Sequence, residues 1–118
     1  MFKSGNVTVM VSDFNKAVQF YVETLGLQLQ HQVEGHFAQV EVPGLTIGLL
    51  YPAAGEQGFQ QGKSESISIG FEVQELESAI GVLKSRGVEF QHIMENNGTR
   101  LAHFSDPDGN LLYLICNR

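Results

Sequence analysis

One pattern occurs twice in this chain of 118 residues, and a repeat constrains a fold more tightly than composition can. Asn6–Phe20 aligns with Ser68–Val82 at a spacing of 62 residues, Gly26–His31 with Gly87–His92 at 61, and Pro43–Leu50 with Asp108–Ile115 at 65. Each copy reads strand, helix, strand, strand, strand. In the first, Val7, Val9 and Val11 alternate with Asn6, Thr8 and Met10, the period of a strand with one buried face. A helix follows, capped by Ser12 or Asp13, with Phe14, Ala17, Val18, Tyr21 and Leu25 at helical spacing and Gly26 at its left-handed end. Strands are then predicted over Leu27–Val33, Phe37–Val42 and Leu45–Tyr51, turning at Glu34-Gly35 and Pro43-Gly44.

In the second copy Ile67, Ile69, Phe71 and Val73 alternate with Ser68, Gly70 and Glu72. Leu76, Ala79, Ile80 and Leu83 line a helix that Gly87 ends, and strands are predicted over Val88–Met94, Arg100–Phe104 and Leu111–Ile115. They turn at Asn96-Asn97-Gly98 and Asp106-Pro107-Asp108-Gly109. The expected architecture is α+β, two tandem βαβββ modules (about 5–51 and 67–116) joined by a linker over 52–66 in a single domain spanning 1–118. Neither module is large enough to bury its sheet alone, so a shared core is expected. Gly55, Gly58, Gly62 and Phe59 make the joining segment either a plain linker or a lid with one apolar contact.

Seven Lys and Arg against thirteen Asp and Glu leave a net charge of −6, which repels phosphate backbones and excludes nucleic acid as the expected partner. Apolar runs such as Leu111–Cys116 fall far short of the roughly 20 residues that cross a bilayer, and no signal-like segment opens the chain. A single cysteine, Cys116, permits neither an intrachain disulfide nor a cysteine zinc cluster. No membrane partner is expected, and a reducing, cytoplasmic compartment is.

If each helix covers one face of its sheet, the other face is left for function. By alternation that face carries Asn6, Thr8, Met10, Gly48 and Leu50 from the first module, and Ser68, Gly70, Glu72, Leu111, Tyr113 and Ile115 from the second. Counting outward from the turns puts Gln39 opposite Gly48 and His103 opposite Tyr113, provided no bulge shifts the register. Gly48, Ser68 and Gly70 have little or no side chain there. Two curved half-sheets of this kind are expected to enclose a cleft for a small molecule.

The strand Asn6–Val11 leading to Asp13, the segment Phe20-Tyr21 with Leu25-Gly26, and the tail Asp106-Pro107-Asp108-Gly109-Asn110 together resemble the vicinal oxygen chelate superfamily. That superfamily includes glyoxalase I, extradiol dioxygenases, fosfomycin-resistance enzymes and bleomycin-resistance proteins. Its metal-dependent members hold their ion with His and Glu (sometimes Gln) at four positions, which the resemblance carries onto Asn6, Gly48, Ser68 and Tyr113. None is a good donor, since a divalent site needs imidazole, carboxylate or thiolate groups. The expectation is therefore no metal, no cofactor and no glyoxalase I chemistry. What the resemblance implies instead is a bleomycin-resistance-like homodimer that sequesters a cationic or aromatic compound. The enzymatic alternative is a lyase, isomerase or dioxygenase, either using displaced metal ligands or working metal-free through Glu72, His103 and Tyr113.

Individual residues keep two readings. His103 is a ligand contact or a hydrogen-bonded structural histidine; Glu72 is a base or counter-ion in the cleft, or a solvated strand end. Tyr113 either donates to a ligand or fills the place of the metal, while Asn6 and Gln39 are candidate polar contacts. His31 and His92 occupy equivalent places and look paired, but outer strands leave them solvated. His36, after a turn, is expected to be exposed.

Overall fold

The computed structural model describes residues 1–52 and 67–117, so the expected linker beyond Pro52, Phe59 included, lies outside the described residues. The chain divides into two compact units, one holding each copy of the repeat. The first contains β1 (Val7–Met10), α1 (Phe14–Val18), a π-helical continuation (Gln19–Thr24), β2 (Gln28–Val33), β3 (Phe37–Val42) and β4 (Leu45–Leu50). In the second are β5 (Ser68–Glu72), α2 (Leu76–Ser85), β6 (His92–Asn96), β7 (Thr99–Ser105) and β8 (Leu111–Asn117). The sheets have matching orders, β1-β4-β3-β2 and β5-β8-β7-β6, with the opening and closing strands parallel and the other pairs antiparallel. These are the two βαβββ modules that the repeat predicts.

α1 starts where Asp13, in an extended conformation, accepts a hydrogen bond from the Lys16 amide at 3.1 Å. That cap is worth about 1 kcal/mol. The helical spacing expected through Leu25 gives way at Gln19 to a π-helix, closed by the Leu25 amide on the Phe20 carbonyl at 2.9 Å. The repeat explains why. Its spacing drops from 62 to 61 between Phe20 and Gly26, so the first module has one more residue here than the second. A single residue added to an α-helix is absorbed as one wide turn, which keeps Phe14, Ala17 and Tyr21 buried on one side. α2 has no such residue and stays α-helical. Gly26 and Gly87, at φ of +86° and +92°, release the chain from the two helices.

Alternation along the strands builds each core. Val9, Val11, Ala38, Val40, Ile47 and Leu49 are buried with Phe14, Ala17 and Tyr21 in the first module, where α1 packs on β4. The second module buries Ile69, Ala102, Phe104, Leu112, Leu114 and Cys116 with Leu76 and Leu83, where α2 packs on β7 and β8. The Cys116 thiol donates to the Gln74 carbonyl at 3.3 Å, a structural contact. Arg100 on β7 pairs with Glu77 on α2, and that hydrogen bond holds the guanidinium above its ordinary pKa.

The Asp-Pro-Asp-Gly-Asn tail is a built turn. Asp106 is buried, its Oδ1 accepts from the amides of Asp108 and Asn110 at 2.9 and 2.8 Å, and its Oδ2 accepts from Asn110 Nδ2 at 2.9 Å. Gly109, at φ +86°, completes the reversal between β7 and β8.

Several strand boundaries differ from the sequence reading, the largest shift being at the start of β6. β6 begins at His92 and not at Val88, because Val88 is buried with its amide bonded to Leu83 at the end of α2. β1 begins at Val7, leaving Asn6 just ahead of the strand and exposed. His36, expected to be exposed, is half-buried, and its carbonyl accepts from the Tyr51 amide.

Candidate functional site

The face of each sheet that turns away from its helix is organised in rows across the strands. In the first module Thr8, Gly48, Gln39 and His31 follow one another across β1, β4, β3 and β2. Gly70, Tyr113, His103 and His92 form the equivalent row across β5, β8, β7 and β6. The expected partners, Gln39 with Gly48 and His103 with Tyr113, are directly opposite, in ladders free of bulges. A bulge does occur between Leu29 and His31, in β2. It moves His31, in place of Gln30, opposite Gln39, so that both rows end in a histidine on an outer strand.

The remaining candidates fall into neighbouring rows. Met10 lies beside Leu50, which faces Phe37. Ser68 lies beside Leu111, which faces Ser105, while Glu72 lies beside Ile115, which faces Leu101. Ser68 and Glu72 are exposed, whereas Leu111, Tyr113 and Ile115 are half-buried. Each module thus collects its own candidates on one face, apart from Asn6, which stands ahead of β1.

The expectation that the glycines leave empty space is corrected by what lies against them. A Cβ at Gly70 would sit 2.2 Å from Tyr113 Cζ and 2.6 Å from its hydroxyl oxygen, so the tyrosine ring lies in the place a side chain would take. At Gly48 a Cβ would meet Phe37 Cε1 at 3.0 Å and Thr8 Oγ1 at 3.2 Å. Each glycine seats an aromatic ring. Phe37 was not among the candidates, and nothing in the alternation distinguishes it from any other half-buried strand residue.

The second row is also a row of rings. The centroids of His103 and Tyr113 are 5.6 Å apart at an interplanar angle of 38°, and those of His92 and His103 are 6.1 Å apart at 48°. His92 is exposed, as expected for an outer strand, but its ring neighbours His103. The repeat spacing and the Asn97-Gly98 turn together contain that pairing. The Nδ1 atom of His103 is buried and has no hydrogen-bond partner among the described residues. The reading of His103 as a hydrogen-bonded structural histidine therefore fails at this nitrogen.

The four positions that would hold a family metal do not fit one. Gly48 has no donor atom, Asn6 and Ser68 offer a neutral amide and hydroxyl, and Tyr113 is laid against Gly70. Among the described residues, no three His, Cys, Asp or Glu side chains gather to hold an ion. No helix among them is long and apolar enough to cross a membrane.

Comparison with known proteins agrees with this architecture. Residues 3–114 match the model of the Glyoxalase/Bleomycin resistance protein/Dioxygenase superfamily. The uncharacterized protein YetH of Bacillus subtilis is 34% identical over 119 residues, covering 93% of this chain and 94% of its own. The crystal structure of TnmS3, an antibiotic binding protein from Streptomyces sp. CB03234, is similar with a TM-score of 0.77 at 27% identity, covering 100% of this chain and 99% of that one. A member of the same superfamily from Sphaerobacter thermophilus gives a TM-score of 0.78 at 30% identity over 99% and 98% of the two chains.

Proposed function

The chain belongs to the Glyoxalase/Bleomycin resistance protein/Dioxygenase superfamily, and from that premise we propose that it binds a small organic molecule, cationic or aromatic, on its open sheet faces without a metal at the family's positions. The observation that carries this reading is the donor set. Asn6, Gly48, Ser68 and Tyr113 offer a divalent ion almost nothing, and rings occupy the ground beside Gly48 and Gly70. What those faces do offer is apolar surface from Met10, Leu50, Leu111 and Ile115, with polar contacts at Thr8, Gln39 and His103. That mixture suits recognition by shape, stacking and hydrogen bonding. The net charge of −6 and Glu72 on the same face favour a cationic guest. The likeness to an antibiotic binding protein points the same way.

Acid–base catalysis by Glu72, His103 and Tyr113 is the weaker reading, since Glu72 is exposed and lies beside Ile115, in the row next to the His103–Tyr113 pair. We read the protein as a cytoplasmic homodimer. Support comes from the lone Cys116 and from Leu29, Val33, Ile93 and Met94, apolar side chains exposed on the outer strands.

The test is a thermal-shift and calorimetric screen of cationic aromatic drugs against metal-depleted protein, repeated with nickel, zinc and iron. A ligand at 100 times its Kd should add about 2.7 kcal/mol of stability, whether or not a metal is present, and should be recovered unchanged. Binding that requires one equivalent of metal, or conversion of the ligand, would overturn the reading.

A further inference from the structure

His103 Nδ1 is a buried polar atom for which the described residues supply no partner. Such an atom is costly to leave unpaired and needs a specific explanation. Its surroundings supply one. The His103 ring lies between His92 and Tyr113, tilted from each by 48° and 38°, so any group reaching it must fit among flat rings. What lies under the Tyr113 ring is the bare backbone of Gly70. The tautomer that carries its proton on Nε2 presents Nδ1 as an acceptor, and the partner that this tautomer calls for is a donor. A carboxylate has no proton to give at neutral pH, and the net charge of −6 opposes it further.

We infer that the second module holds a planar aromatic ring bearing a hydroxyl group, stacked in the His92–His103–Tyr113 row, with its hydroxyl donating to His103 Nδ1. This rests on the proposed reading of the open face as a ligand face and names the chemistry its second half selects. The row in the first module, Thr8, Gly48, Gln39 and His31, has no such run of rings and contributes no equivalent subsite.

Two probes of nearly equal shape separate the donor from the ring: 2-naphthol, which donates, and 2-methoxynaphthalene, which cannot. Calorimetry on the full chain should give about tenfold tighter binding of 2-naphthol, the worth of one neutral hydrogen bond. In His103→Phe, which keeps a ring in the row, the preference for 2-naphthol over 2-methoxynaphthalene should vanish. On the unmodified protein labelled with nitrogen-15 at histidine, the Nδ1 resonance of His103 should move with 2-naphthol and not with 2-methoxynaphthalene, a readout independent of how the variant folds. Equal affinity for both probes, a preference that survives in His103→Phe, or an unmoved Nδ1 resonance would overturn the inference. If neither probe binds while a cationic drug still does, the inference falls alone; if nothing in either set binds, the ligand-face reading falls with it.

Discussion

The two modules share one topology, yet the faces that turn away from their helices are furnished differently. Across equivalent positions, Thr8, Gly48, Gln39 and His31 stand in the first module where Gly70, Tyr113, His103 and His92 stand in the second. The glycine has moved from the closing strand to the opening one, and a tyrosine and an imidazole have replaced a glycine and an amide. Duplicated scaffolds teach this generally: the faces packed on the helices are constrained by the core, whereas positions of a repeat outside that core are free to diverge toward different tasks. The same contrast holds at the helices and at the last turns, where one module carries an extra residue and the other a buried carboxylate.

The largest effect expected from that contrast is on the helices. Deleting Val82 from α2 turns every later helical residue by about 100°, taking Leu83 off the core, and should cost about 4 kcal/mol or abolish folding. Deleting Glu23 from the π-helical segment removes the surplus residue and should leave urea stability within about 1 kcal/mol. Equal losses from the two deletions would show that the wide turn is not a store for one residue.

The closing turns come next. Asp106→Ala strips the acceptor from two amides and the Asn110 side chain, so chemical denaturation should show a loss of about 3 kcal/mol. Pro43→Ala, in the two-residue turn of the first module, should cost less than about 1 kcal/mol.

A smaller difference in stability, but a clear one in geometry, is expected at the glycine seats. Gly70→Ala forces the Tyr113 ring aside, because the new methyl would lie against Cζ and the hydroxyl; the atoms it meets are the far end of one side chain and not backbone, so stability should change by no more than about 1 kcal/mol. Its departure should appear as a ring-current shift of the His103 proton resonances. Gly48→Ala requires Phe37 to give only a few tenths of an ångström from its 3.0 Å contact, and should leave both rows in place. Unmoved His103 resonances in Gly70→Ala would mean that Tyr113 does not depend on its seat.

Much of this was legible from residue order. The valines of β1, the glycines at positions 26 and 87 and the spacing of the repeat are local properties, and local backbone geometry turns them directly into strands, helix ends and modules. Hairpin turns carry register outward, so Gln39 opposite Gly48 and His103 opposite Tyr113 could be counted from Pro43-Gly44 and Asp108-Gly109. Even the π-helix was latent in the change of spacing from 62 to 61, although the helical pattern of apolar residues masked it.

Other features depended on contacts between strands far apart in the chain. Alternation says which face a side chain takes but not where its ring comes to rest, so the glycines read as vacancies until Tyr113 and Phe37 were found lying over them. The bulge that brings His31 opposite Gln39 has no marker in β2 itself. By itself, the order of residues determined the repeat and the two faces, because those follow from backbone period. Only the tertiary structure decided that His103 Nδ1 is buried without a partner, because burial belongs to what the neighbouring strands lay over an atom and not to the strand that carries it.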